Sequence, residues 1–110
     1  MEGRLATGLW VAAYRKRLEL AGIPAYVTAR GDDTAGAVLV KLALLDGTAK
    51  LYQRTWDYQT DSRGWTLLTE GPEAEVDDSA RRQRGMDPDL WVIEIEDRQG
   101  RTLLDEDGLS

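Results

Sequence analysis

Gly36-Ala37-Val38-Leu39-Val40-Lys41-Leu42-Ala43-Leu44-Leu45, followed by Asp46-Gly47, is the stretch that decides the fold. The run is apolar on both alternating sets of positions, and Lys41 carries its only charge. A strand of that pattern belongs in the middle of a sheet with both faces covered. Asp46-Gly47 is a two-residue hairpin signal, so Thr48 to Thr55 is expected to return as the partner strand. Ala49 and Leu51 would then lie on one face and Lys50, Tyr52 and Arg54 on the other.

On the N-terminal side, Thr7 to Ala21 reads as a helix with Thr7 as N-cap and Gly22-x-Pro24 as the stop. Trp10, Val11, Ala13, Tyr14, Leu18 and Ala21 share one side, and Arg15, Lys16 and Glu19 form a solvated basic face. Ala25 to Ala29 is a short strand, and residues 30–34 form a polar loop. On the C-terminal side, Trp56 to Gly64 turns the chain and Trp65 to Thr69 is another strand. Gly71-Pro72 opens a second helix, with Pro72 near its first position and Gly85 able to close it. Its acids come early and Arg81, Arg82 and Arg84 come late, as the helix dipole favours. Its apolar stripe is thin: Ala74, Val76, Ala80 and Met86. Leu90 to Glu96 alternates as a strand, with Trp91, Ile93 and Ile95 opposite Val92, Glu94 and Glu96. A turn at 97–100 leads to a short strand, Arg101 to Leu104. The expectation is one α+β domain over residues 1–104, with a mostly antiparallel sheet of about five strands and two helices. Residues 105–110 read as a frayed acidic tail.

The chain has 110 residues, a single-domain length, and lacks Cys, His, Phe and Asn entirely. It therefore has no disulfide, thiolate or imidazole, which excludes Ser-His-Asp and Cys-His catalysis within the chain. The longest stretches without charge are ten residues, Leu5–Tyr14 and Leu20–Ala29, too short for a membrane span. The N-terminus lacks the pattern of a secretory signal, so the cytoplasm is the expected compartment. The net charge is −6, which disfavours wholesale nucleic-acid binding. Residues 1–30 carry five basic and two acidic groups, whereas residues 31–110 carry nine basic and eighteen acidic.

Trp10-Val11-Ala12-Ala13-Tyr14, Ala35 to Lys41, Leu45-Asp46-Gly47 and Asp87 to Asp97 occur together in this order. With Glu73 to Asp77 and Gly100-Arg101, they resemble a small, chiefly alphaproteobacterial family known as domain of unknown function 1491. The resemblance spans nearly the whole chain and implies a bacterial, cytoplasmic, stand-alone domain. It brings no activity, cofactor or catalytic residue to any position.

Three constellations carry chemistry. Glu94 and Glu96 share a strand face and Asp97 follows, so these oxygens could converge on Mg²⁺ or Ca²⁺. Simple polar-out alternation explains them without a metal and is the favoured reading, with Lys41, Lys50 or Arg54 as ion partners across the sheet. Arg81, Arg82 and Arg84 could grip phosphate, but Asp77–Arg81 and Asp78–Arg82 are i,i+4 pairs that stabilise the helix by themselves. Trp56, Tyr58, Arg63 and Trp65 flank one turn, a pattern of anchors for a protein partner. The alternative is that Trp56 and Trp65 cap the core of a domain lacking Phe. Neither the two-glycine loop 30–36 nor the three serines has the context of a P-loop or nucleophile elbow.

The expected function is a non-catalytic protein-binding or adaptor domain without cofactor, meeting an unidentified protein partner through Trp56, Tyr58, Arg63 and Trp65. The alternative is a divalent-metal-dependent enzyme using Glu94, Glu96 and Asp97. Nucleic-acid binding through the helix arginines ranks third. Because the second helix looks too polar to cover the central strand, a homodimer is also expected to bury that face.

Overall fold

The computed structural model describes residues 5–57, 59 and 61–109; of Trp56, Asp57 and Ser62 it describes the backbone. The elements run α1 (Thr7–Leu20), β1 (Ala25–Ala29), β2 (Val38–Ala43), β3 (Thr48–Asp57), β4 (Ser62–Pro72), α2 (Glu73–Met86) and β5 (Trp91–Glu96). The five strands form one sheet in the order β1-β5-β2-β3-β4. β5 runs parallel to β2, and the other neighbours are antiparallel. The fold is α+β, as the sequence patterns imply. Among the described residues, no helix is long and apolar enough to cross a membrane.

The alternation of β2 divides the core. Val38, Val40 and Leu42 face α1, joined by Trp91, Ile93 and Ile95 from β5 and by Trp10, Val11, Tyr14 and Leu18 from the helix. Leu39 faces α2 with Ala49, Leu51, Leu90 and Val92, against Val76 and Ala80. All six residues of β2 are buried. The second helix therefore does cover the central strand, contrary to the expectation. Its two small apolar residues let it approach closely, while Glu73 and Asp77 on the same side meet the one charge on β2 (below). The mismatch that suggested a homodimer is resolved within a single chain.

Several local expectations are corrected. Thr7 is not the N-cap of α1; Ala6 is, without a side-chain cap. The Thr7 hydroxyl instead donates to the Gly36 carbonyl at 2.8 Å, and the Thr7 and Gly8 amides donate to the Thr34 and Asp33 carbonyls. Neighbouring loop carbonyls satisfy the helix end in place of a cap. Ala13 is exposed, and the outer face of α1 is not simply basic, since Leu9 and Leu20 lie on it at 59% and 76% exposure. In the β2–β3 turn the left-handed positions are Leu45 (φ 63°) and Gly47 (φ 91°). Asp46 between them accepts from the Thr48 amide and hydroxyl at 2.9 and 2.6 Å. Pro72 is the N-cap of α2, which runs through Gly85 to Met86. Ala74 and Met86 are exposed, so its buried stripe reduces to Val76 and Ala80.

Trp56–Gly64 is not a long loop. β3 and β4 stay paired from Thr48↔Pro72 to Asp57↔Ser62, with one irregularity at Leu51/Tyr52. Residues 101–104 form no strand. Nor is the C-terminal segment frayed: Leu104 and Leu109 are buried at 4% and 1% exposure. The Arg17 guanidinium donates to the Asp107 carbonyl at 2.7 Å, and the Tyr14 hydroxyl donates to Thr102 at 2.8 Å. The apolar residue at 109 supplies a reason to dock that the acidic composition around it conceals.

Candidate binding site

The β3–β4 pair outruns its neighbour. β2 registers with β3 from Ala43↔Ala49 to Leu39↔Gln53, whereas β4 continues alongside β3 to Asp57. Beyond that point, residues 54–57 and 62–65 form a two-stranded ribbon at the end of the sheet. A two-stranded ribbon is only marginally stable unless something holds it. Trp65 supplies the anchor. Its ring lies 5.5 Å from that of Trp10, and its indole N–H donates to the Leu109 carbonyl at 2.9 Å. Arg54, in register with Trp65, lays its guanidinium over Trp10 at 4.6 Å and near Trp65 at 5.5 Å. Cation–π stacking of this kind holds a long side chain in place.

A cleft of about 660 Å³ opens between the ribbon and the chain leading into β2. Leu5, Ala6 and Thr7 line one end, residues 34–38 one wall, and Arg54, Thr55 and Arg63 the other. Of the four residues expected to meet a partner, Arg63 thus lies in the cleft, whereas Trp65 does not line it and is half-buried against the core. Tyr58 lies outside the described residues, as does the side chain of Trp56. The Trp56 backbone is in register with Arg63.

The carboxylates proposed for a metal go three separate ways. Glu94 lies 3.3 Å from the Lys41 ammonium, Glu96 accepts from the Tyr26 hydroxyl at 3.4 Å, and Asp97 grips Arg101. Asp97 accepts from the Arg101 amide and guanidinium at 2.6, 3.1 and 3.0 Å. The side-chain bond to Arg101, opposed in part by burial, holds its carboxyl below the usual range. Among the described residues, no group of three His, Cys, Asp or Glu is placed to hold a metal ion.

Glu94 belongs to a buried cluster that the sequence reading saw only in part. Lys41, 3% exposed, has its ammonium 2.6 Å from Asp77, 2.7 Å from Glu73 and 3.3 Å from Glu94. The expected cross-sheet pairing of Lys41 with Glu94 is present. The two α2 carboxylates were missed, because Asp77 reads equally as an i,i+4 partner of Arg81. The available signal was that Glu73 and Asp77 fall beside Val76 and Ala80, on the one side of α2 that can face the sheet. Burial would lower the Lys41 pKa, but hydrogen bonds to Asp77 and Glu73, with the charge of Glu94, raise it above its ordinary value. An ammonium held this firmly has no lone pair to offer as base or nucleophile at neutral pH.

The α2 arginines are also engaged. Arg81 pairs with Asp78 rather than Asp77, and Arg84 donates to the Arg30 carbonyl at 3.1 Å. Arg82 is exposed. The two-glycine loop is a packing device. A Cβ at Gly31 or Gly36 would collide with the Asp89 carbonyl. That close approach lets Asp32 receive the Trp91 indole N–H at 2.8 Å and donate to Asp89 at 3.0 Å.

Residues 5–105 match the sequence profile of a family described as protein of unknown function (DUF1491). A crystal structure of a DUF1491 family protein from Caulobacter crescentus is similar at TM-score 0.81 and 43% identity, covering 93% of this chain and 94% of that one. An NMR structure of a DUF1491 family protein from the same organism gives 0.80 and 43%, covering 94% and 96%. A solution structure of a protein from A. tumefaciens gives 0.72 and 30%, covering 86% of each chain. No curated protein matches. The chain belongs to the DUF1491 family.

Proposed function

We propose that this DUF1491 chain is a non-catalytic, cytoplasmic protein-binding domain whose contact surface is the β3–β4 ribbon and the cleft at its base. The observation that carries the reading is the ribbon itself, which extends beyond the last β2 partner on β3. Among the described residues, none at its far end belongs to either side of the core, yet Trp65 and Arg54 brace its base with stacked rings and a hydrogen bond. Fixing an otherwise marginal element at an exposed place is what presentation of side chains to a partner requires. Trp56 and Tyr58 stand in the sequence next to its turn and supply the residue types that dominate interface energetics. The engaged Lys41 supports a structural role for the cluster it forms with Glu73, Asp77 and Glu94.

Affinity capture from the host lysate with tagged full-length chain tests this, using nuclease-treated eluates and mass spectrometry. A protein captured by wild type and by Arg82→Ala, but lost with Trp56→Ala/Tyr58→Ala, is the expected result. Capture that survives the double substitution refutes the assignment. The identity of the captured chain distinguishes a second copy from another protein, and thermal melts of both variants confirm that they fold.

A further inference from the structure

We propose that the groove between α2 and the β1–β5 pair binds a linear zwitterion: an ammonium and a carboxylate joined by a short aliphatic chain, as in an ω-amino acid or a lysine with a free carboxyl terminus. This goes beyond the ribbon reading, because the described lining comes from α2, β1, β5 and Lys41 of β2, and none of it from β3 or β4. The groove holds about 420 Å³, which is in the range of small-molecule sites.

The argument is the order of charges along the groove. Asp77, Ala80, Arg81 and Arg84 recur at helical spacing and form one stripe of α2 along it. On β5, Val92 and Glu94 share a strand face. Val92 packs with Ala80 in the core under α2, and Glu94 shares Lys41 with Asp77. One end of the groove is therefore acidic. Counting Glu73, three negative charges stand against a single ammonium, and that ammonium is buried while the carboxylates stay partly exposed. The middle is apolar, with Ala29, Ala80 and Val92.

The other end is basic. The half-buried Arg84 donates to the Arg30 carbonyl, which orients its guanidinium without neutralising it. Among the described residues it forms no ion pair, and its Nε is closed off from water without a hydrogen-bond partner. A partly desolvated cation without a counter-charge attracts an anion more strongly than a fully hydrated one. Arg81, on the same stripe, is paired with Asp78. About 10 Å of helix separates Asp77 from Arg84, the scale of an extended five-methylene chain with its two charged ends. An ammonium alone leaves Arg84 unmatched, and a carboxylate alone leaves the acidic end in excess. The two joined by methylenes match both ends and cover the apolar middle.

The test is an amide-shift titration of the ¹⁵N-labelled full chain with 6-aminohexanoic acid at constant ionic strength. Parallel arms use hexanoic acid, pentylamine and acetyl-alanyl-lysine with a free carboxyl terminus. Saturable shifts at residues 28–30, 77–84 and 92–94 are expected, with affinity at least about fivefold weaker for either single-charge analogue and for Arg84→Gln. The two analogues probe the acidic and basic ends without disturbing the Lys41 cluster. Arg82→Gln, at an exposed position that does not line the groove, should bind as wild type, and unliganded spectra show that both variants fold. Saturable binding of 6-aminohexanoic acid or of the peptide supports the proposal, and the tighter of the two assigns the zwitterion to a free amino acid or to a chain terminus. No saturable shift with either up to about 20 mM, equal binding of hexanoic acid or pentylamine, or indifference to Arg84→Gln overturns it. The ribbon residues lie outside the expected set of shifts, so these outcomes leave the reading of β3–β4 to its own test.

Discussion

Replacing Lys41 by Met keeps the length of the buried stem and deletes the ammonium that three carboxylates share. Removing one member of a buried ion pair costs about 3–5 kcal/mol when the remaining charge stays buried. Here Glu73, Asp77 and Glu94 keep 39%, 37% and 24% of their side-chain exposure, so water compensates part of the loss. The methionine side chain also needs no hydrogen bonds. The expected destabilisation at pH 7 is therefore about 2–3 kcal/mol, or roughly 10–20 °C in Tm for a domain of this size. Three uncompensated negative charges then face one another. Urea unfolding followed by tryptophan fluorescence at pH 7 measures the difference. A loss under about 0.5 kcal/mol refutes the view that Lys41 organises this face.

Alkaline pH tests the same lysine together with Tyr14, whose pKa burial pushes up. Both groups have folded-state values above their unfolded ones, near about 10 for Tyr and 10.4 for Lys. Their contribution is complete below those values and is lost as pH rises toward the folded ones, so Tm should hold to about pH 9.5 and fall beyond it. Gly31→Ala should destabilise by about 2 kcal/mol or more through the clash with Asp89. Gly85→Ala, in α2 with open space around it, should be neutral or stabilise by up to about 1 kcal/mol; denaturant midpoints compare the two. Removing residues 105–110 should cost about 2–4 kcal/mol through Leu109 and the orphaned Trp65 indole, read by thermal melting; an unchanged Tm would mean that the segment does not dock.

Elements whose identity is written in local periodicity were legible: α1, β1, β2, the start of β3, and β5. Their order in the sheet was not. β1 pairs with β5 and β5 inserts beside β2 because of distant side-chain packing, and no residue near either strand encodes that choice. The ribbon read as a loop because Trp56–Gly64 mixes aromatic and polar residues without the period of two that marks a strand. Arg63 was reached by residue type, and its cleft follows from where β2 ends. The role of Trp65 depended on Leu109, forty-four positions away, which no spacing rule connects to it.

The placement of β5 has a consequence for how the chain is made. Tyr26 waits for Glu96, seventy residues later, before β1 has any hydrogen-bonded neighbour. At synthesis rates of about 5–20 residues per second that interval is roughly 4–14 s. Until then β1 and one side of β2 are bare strand edges on a nascent chain, the kind that recruits wrong partners. A transcript cut short before the codons for β5 would yield a polypeptide whose sheet lacks its central partner strand, which makes such products natural targets for holding chaperones and proteases.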